Sequence, residues 1–259
     1  MSDVTVVCCW TNEKMYSDFV RTLKYQTVPC ELIGIDNRGN KGFTSCASAY
    51  NSIIDNVKTE YVIYSHQDIL LAESNSMEKF LSYLEELGHD DILGVAGTRF
   101  DTEGTFSNFR HKDGNTGDLM QAGRNHFDGE IMECDTIDEC FFGGYTEHFR
   151  NYPFDEVLCD NWHLYAVEEC IRAKSLGIGK IFVCNIPIIH LSYGTMSLTF
   201  YYGFYRLCRK YAGKIPLIRT TCVYSRTDFI HLLPRFLYLC GGVILRNLGL
   251  YDFVKKLFH

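Results

Sequence analysis

The chain has 259 residues, 46% of them hydrophobic, and a net charge of −7. That is enough apolar material for one large domain, or a domain with a smaller appendage, and the negative charge excludes a general nucleic-acid binder. The charge is uneven: residues 200–259 hold ten Lys and Arg against two Asp, net +8, which leaves −15 on the first 199. An acidic body with a basic, aromatic tail points the tail toward an anionic surface.

The twelve cysteines are scattered, with no Cys-x-x-Cys pair. Zinc spacing is absent, and reduced, mostly buried thiols in a cytoplasmic protein are expected. The N-terminal residues enter a strand at once, without a basic stretch and an apolar stretch behind it, so no signal peptide is expected.

Residues 4–9, Val-Thr-Val-Val-Cys-Cys, predict a buried first strand. Thr11 or Asn12 then caps a helix with Glu13 in its first turn and Met15, Phe19 and Leu23 along one face. Residues 31–36 form a second strand ending in Asp36, followed by the turn Asn37-Arg38-Gly39-Asn40. An acid at that strand end either accepts hydrogen bonds from a nucleotide or starts an Asp-Asn turn. A helix is predicted from about Thr44 to Val57. The apolar run Tyr61-Val62-Ile63-Tyr64 then reads as a strand buried on both faces. It stops abruptly in His66-Gln67-Asp68, polar residues at the carboxyl edge, where ligands of open α/β sheets bind. The strand–helix–strand–helix–strand order implies right-handed crossovers and a mostly parallel sheet.

A surface helix is predicted over 76–87 and a short buried strand over 92–96. From Gly97 to about Glu133 the periodicity breaks, which predicts loops or a hairpin beside a cleft, with His111 and His126 among them. Asp138 and Glu139 precede the aromatic strand-like piece Phe141-Phe142-Gly143-Gly144. A helix is predicted from about Asp160 to Gly177, with Asp160 as its cap or as a carboxylate facing the cleft. Trp162 anchors that helix in the core or stacks on a sugar. Lys180–Cys184 is a further strand, and His190 follows the apolar pair Ile188-Ile189. Beyond Leu198 a helix with a cationic side is expected. The later uncharged run, Phe236 to Leu245 between Arg235 and Arg246, is shorter than the roughly 20 residues needed to span a bilayer. An interfacial helix at an anionic membrane fits it. A helical pair packed on the main domain and a contact between copies in a homo-oligomer stay open as alternatives.

The order of these features resembles the GT-A-fold glycosyltransferases, closest to the inverting family-two-like group and its small bacterial glycosyltransferase-like branch. In that pattern a strand ending in an acid (Asp36), an Asn-rich turn (Asn37 to Asn40) and a helix with an Asn (Asn51) precede a buried strand ending in Asp-x-Asp. Here the last motif stands as His66-Gln67-Asp68, with the first acid replaced and the metal-contacting acid kept. Phe142-Gly143-Gly144 through Phe154-Asp155-Glu156 resembles the acceptor-side segment, and His190-Leu-Ser the C-terminal histidine that completes the metal site. The family's helix-start base falls on Asp160 when counted forward from Phe-Asp-Glu, and on Ala166 when counted back from Cys170.

The resemblance covers roughly 4–195. It implies an α/β fold with a GT-A-type mostly parallel sheet and a helical tail. The domain is expected over 1–199, its nucleotide-sugar half over about 1–96 and its acceptor half over about 97–199, with the tail segment over 200–259. It also implies Mn²⁺ or Mg²⁺ on Asp68 and His190. The UDP-sugar, or another nucleoside-diphosphate sugar, would lie on Thr11, Asn12, Asp36, Asn37, Asn51, His66, Gln67 and Asp68. Asp138, Glu139 and Trp162 would face the acceptor, a saccharide or lipid-linked saccharide, and Asp160, with His163 second, would act as base. The enzyme would work in surface-glycan synthesis at the inner face of the cell membrane. A sugar nucleotidylyltransferase would need a Gly-rich basic loop after the first strand, which Trp10-Thr11-Asn12-Glu13 does not offer. A non-catalytic nucleotide-sugar-binding or scaffold subunit is the alternative.

Overall fold

A computed structural model describes residues 3–112, 119–121, 129–192 and 196–251. The chain divides into two compact units, Met1–Tyr193 with Arg219–Val223, and Gly194–Ile218 with Tyr224–His259.

The first unit opens with β1 (Val4–Trp10), α1 (Glu13–Lys24), β2 (Glu31–Asp36), α2 (Cys46–Asn51), β3 (Tyr61–Ser65), β4 (Ile69–Leu71) and α3 (Ser76–Glu85). Short strands follow: β5 (Ile92–Gly94), β6 (Ala96–Thr98), β7 (Phe106–Ser107), β8 (Phe109–Lys112), β9 (Leu119–Gln121), β10 (Ile131–Cys134) and β11 (Thr136–Ile137). The unit closes with β12 (Phe141–Tyr145), α4 (Thr146–Asn151), α5 (Tyr165–Leu176), β13 (Ile181–Cys184) and β14 (Ile188–His190).

Seven strands form the main sheet in the order β10-β13-β5-β12-β3-β1-β2. β2, β1 and β3 are mutually parallel, as are β5 and β13, while β12 and β10 run against their neighbours. This is the mostly parallel α/β sheet that the sequence predicts. β3 is buried throughout. Val62 and Tyr64 join one core layer, and Tyr61 and Ile63 the other. The first layer holds an aromatic cluster in which Tyr64 lies 4.7 Å from Tyr50, 5.4 Å from Phe142 and 5.2 Å from Phe154, ring centre to ring centre. All twelve cysteines are free thiols.

Three predicted elements differ. The second helix ends at Asn51 rather than Val57, and a 3₁₀ turn over Ile54–Asn56 replaces its end. Asn51 is claimed across the chain: its amide donates to the Phe154 carbonyl (2.9 Å) and Glu156 (2.9 Å) and accepts from the Phe154 N–H (3.0 Å). The β-branched and Asx residues behind it are poor helix formers. The irregular stretch after Gly97 carries strands. β8 pairs with both β14 and β9 in a second sheet of order β4-β14-β8-β9. His126 lies outside the described residues. Finally, α5 starts at Tyr165, five residues later than expected, because Leu164 takes a left-handed conformation (φ 72°) that breaks the helix there.

In the second unit, α6 (Leu198–Lys210) is capped by the Ser197 hydroxyl and packs on α7 (Phe229–Asn247), with Tyr205 and Phe236 4.8 Å apart. The uncharged run between Arg235 and Arg246 therefore understates the helix. α7 has 19 residues and a mean hydropathy of 1.4 over its most apolar window, enough by length and composition alone to cross a membrane.

The close approach of β12 to β3 sets a sharp limit at Gly143, where a Cβ would lie 2.2 Å from the Val62 carbonyl oxygen and 3.0 Å from the Ile63 Cα. Backbone of a central strand cannot step aside. Gly143→Ala is expected to destabilise the fold by about 1–3 kcal/mol, read from the urea midpoint.

Candidate functional site

The site stands at the carboxyl end of β3. The chain leaves the sheet at Ser65 and turns through His66, Gln67 and Asp68 into β4. β14 returns antiparallel to β4 with His190 opposite Ile69, and the Leu191 N–H bonds to the Asp68 carbonyl at 2.9 Å. The second sheet thus brings His190 to Asp68 from far along the chain. His190 Nε2 lies 3.3 Å from Asp68 Oδ2, and His66 Nδ1 lies 4.0 Å from Asp68 Oδ1. Ser192 donates its hydroxyl to Asp68 Oδ2.

Burial alone would raise the Asp68 carboxyl, but the His190 ring 3.3 Å away, the charge of His66 and the Ser192 hydroxyl hold it well below the usual carboxylate range. His190 responds in kind: burial opposes its charge, yet Asp68 raises it. Burial dominates at His66 and lowers it.

The ligand atoms of His66, Asp68 and His190 all lie within 4.8 Å of one another. Donors around one divalent cation, each at about 2.0–2.5 Å from it, stand roughly 3–5 Å apart. The three residues therefore fit a metal, and one carboxylate with two imidazoles suits Mn²⁺ or a similar ion. His111, paired with His190 across β8 and β14, has its ring centre 5.2 Å from that of His190.

Gln67 turns the other way. Its side-chain oxygen accepts from the N–H groups of Thr11 (2.9 Å) and Asn12 (2.7 Å), so it fastens the loop after β1. Asn12 in turn caps α1 through the Met15 N–H (3.1 Å). Asp36, exposed at the end of β2, is clasped by Arg38 at 2.6 and 3.0 Å, which holds its carboxyl low. The same guanidinium lies over Trp10, 4.9 Å from the ring centre. Asn37 is buried and spent on its own turn, bonding the Gly42 and Phe43 N–H groups and the Phe43 carbonyl. Asn51, as described above, locks α2 to Phe154.

A second group of acids faces the end of β3 from the start of β12, where the His66 N–H bonds to the Cys140 carbonyl at 2.9 Å. Asp138 accepts from the Thr221 hydroxyl (2.5 Å) and the Cys140 N–H (3.1 Å). Glu139 Oε2 lies 4.0 Å from His163 Nδ1, and its Oε1 is buried without a hydrogen-bond donor among the described residues. Burial, then the charge of Asp138, push the Glu139 carboxyl well above its ordinary range, although the N–H groups of Leu164 and Tyr165 pull it down. Burial, then the charge of His66, lower His163, so its ring is neutral at neutral pH. Asp160 stands exposed in the loop ahead of α5, not at the helix cap, and Trp162 packs against the core. Sequence reasoning missed Ser192 and Thr221, the latter 83 residues from Asp138 with no local signal.

A Rossmann-like sheet whose third strand runs on into an acid, with a histidine returned beside it, is an arrangement of the GT-A type. The chain belongs to the glycosyltransferase-like family, whose profile matches residues 5–199. No curated protein matches it in sequence. Among solved structures it is similar to S. aureus TarS 1–349 in complex with UDP-GlcNAc, with a TM-score of 0.55 at 12% identity over 83% of this chain and 67% of that one. It is also similar to GalNAc-T7 with UDP, GalNAc and Mn²⁺, with a TM-score of 0.58 at 11% identity over 79% of this chain and 48% of that one. The likenesses are of fold, and the chain spans about two thirds of the TarS fragment and about half of the GalNAc-T7 chain.

Gln67→Ala removes the acceptor of both loop amides. Hydrogen exchange at Thr11 and Asn12 is expected to quicken about tenfold, while the amides of β1 keep their protection.

Proposed function

We propose that this protein transfers a sugar, with inversion, from a nucleotide-sugar donor to a hydroxyl of a saccharide or lipid-linked saccharide during surface-glycan synthesis. The meeting of His66, Asp68 and His190 at the end of β3 carries this reading, since a family member has little other use for such a cluster at its ligand edge. The UDP in the TarS and GalNAc-T7 complexes supports a UDP-sugar as donor.

His66, Asp68 and His190 would hold Mn²⁺ or Mg²⁺, which when bound supplies Lewis-acid stabilisation of the departing diphosphate. Asp68 is kept ionised by its neighbours and aimed by Ser192. The nucleoside falls to the Thr11–Asn12 loop, steadied by Gln67, and to Asp36, which stands exposed at the end of β2. Asp138 and Trp162 are assigned to the acceptor side.

Glu139 is the base. The family's helix-start position falls on Ala166 in one alignment, and alanine cannot accept a proton. Glu139 reaches the start of α5 from another element, and its raised affinity for protons suits it to take one from a hydroxyl. As the acceptor oxygen attacks the anomeric carbon, its proton passes to Glu139, the bond from that carbon to the diphosphate breaks on the opposite face, and configuration inverts. His163 stays neutral and orients the hydroxyl.

Two experiments test these roles. Mn²⁺ binding followed by electron paramagnetic resonance is expected to weaken about a hundredfold in Asp68→Asn, whose fold is retained; unchanged binding removes the metal from this site. A base with a raised pKa loses activity as pH falls through that pKa, so the acidic limb of kcat/KM should lie above the ordinary glutamate range. Glu139→Gln is expected to lower turnover by about 10²–10⁴-fold and to abolish that limb, with Asp160→Asn near wild type. The reverse pattern assigns the base to the exposed loop carboxylate.

A further inference from the structure

The second unit holds an apolar surface that the transfer reaction does not use. α7 is apolar on two opposite faces. Leu232, Phe236, Leu239 and Val243 form the inner one; Leu232 and Val243 are buried, and Phe236 meets Tyr205 of α6. At 100° per residue a second stripe runs along the far side through Ile230, Pro234, Leu237, Gly241, Ile244 and Leu248, without a charge in it. Among the described residues this stripe is uncovered: Ile230 is 80% exposed, Leu237 60%, Ile244 47% and Leu248 64%. A surface helix normally turns one apolar face to the core and a polar face outward, so a contiguous exposed stripe marks a surface that something else covers.

Charge identifies what covers it. The second unit carries nine Lys and Arg against two Asp, net +7, in a chain whose total is −7. Arg209, Lys210, Lys214 and Arg246 are exposed. On α7 the cations stand off the stripe, and they are gathered on aromatic rings: Arg235 lies 5.7 Å from the Tyr238 ring centre, Arg246 5.0 Å from that of Tyr251, and Arg209 of α6 5.6 Å from that of Phe229. A protein partner with an apolar groove would satisfy the stripe and leave the excess positive charge unanswered. An apolar stripe edged by aromatic rings, with arginines set back from it, matches the boundary between acyl chains and anionic headgroups. A crossing helix fits less well. Its inner face is already packed on α6, and Arg235 stands six residues in, about 9 Å along the axis, where hydrocarbon would surround it.

We propose that α7 docks the protein on an anionic lipid surface, lying in the interface with the Ile230–Leu248 stripe in the acyl boundary and the unit's cations at the headgroups. The docking is independent of the transfer chemistry and holds whatever the site turns over.

The test is co-sedimentation of the full chain with vesicles of phosphatidylcholine alone or with one third phosphatidylglycerol. Binding is expected to the anionic vesicles only. It should fall about tenfold between 0.1 and 1 M salt, as the Debye length shrinks from about 10 to 3 Å. Leu237→Glu with Ile244→Glu, both at exposed positions, should remove it about tenfold or more while the melting temperature stays within a few degrees of wild type. Arg209→Ala with Lys210→Ala, which leave the stripe intact, should weaken binding to anionic vesicles and not create binding to neutral ones. Absence of binding to either vesicle, equal binding to both, or binding that survives high salt and alkaline carbonate as a crossing helix would, overturns the proposal. So does a stable dimer in light scattering that the Leu237→Glu, Ile244→Glu pair converts to monomer, because the stripe is then covered by a second copy.

Discussion

A carboxylate pushed into a protein interior must find donors or cations there, or give up its charge. Asp68 meets that condition with two imidazoles and a hydroxyl drawn from three places: its own turn, the end of β14 and the second residue beyond it. Much of the first unit serves this meeting. β3 must be buried on both faces to deliver Asp68 to the sheet edge rigidly, and β4 must pair with β14 to bring His190 back. With the His190 ring charged, its pair with Asp68 would satisfy itself; one cation could satisfy it equally well. The geometry that keeps the Asp68 charge tolerable is therefore the geometry that would select a metal.

The acids at the start of β12 follow a different logic. Asp138 is anchored, with its charge answered by Thr221 and a backbone N–H, while Glu139 is half-buried, with its Oε1 buried and unanswered among the described residues. Neighbouring carboxyls in such unlike settings are driven to different proton affinities, which is how one site keeps an ionised acid beside a proton acceptor. The turn that faces them is strained. Leu164 has φ at 72°, a conformation that costs a branched residue about 1–2 kcal/mol. The Asn161 side chain accepts from the His163 N–H at 3.0 Å just ahead of it.

Legibility in the sequence follows how local the determining interaction is. β3 was readable because an apolar β-branched run followed by three polar residues suits a buried strand that stops at a wet edge and little else. Asp36 and Asp68 were readable as the acids that close such strands. His190 was placed by its order in the family pattern, since an isolated histidine after two isoleucines says nothing by itself. The start of α5 was misread because Asp160 looks like a cap, whereas the left-handed Leu164 decides where that helix begins. Thr221 on Asp138, and β8 beside β14, depend on pairings across some 80 residues that no local pattern encodes. α7 was underestimated because its arginines were counted as boundaries, although a helix accommodates a single arginine by setting it off the apolar stripe.

Calorimetric titration of the folded chain with a series of nucleoside diphosphates, with and without Mn²⁺, tests the central claim most directly. Binding of one nucleotide in the series, tightened by the metal, is the result this account predicts. A chain that binds none of them, or binds one with the same affinity whether or not Mn²⁺ is present, contradicts it.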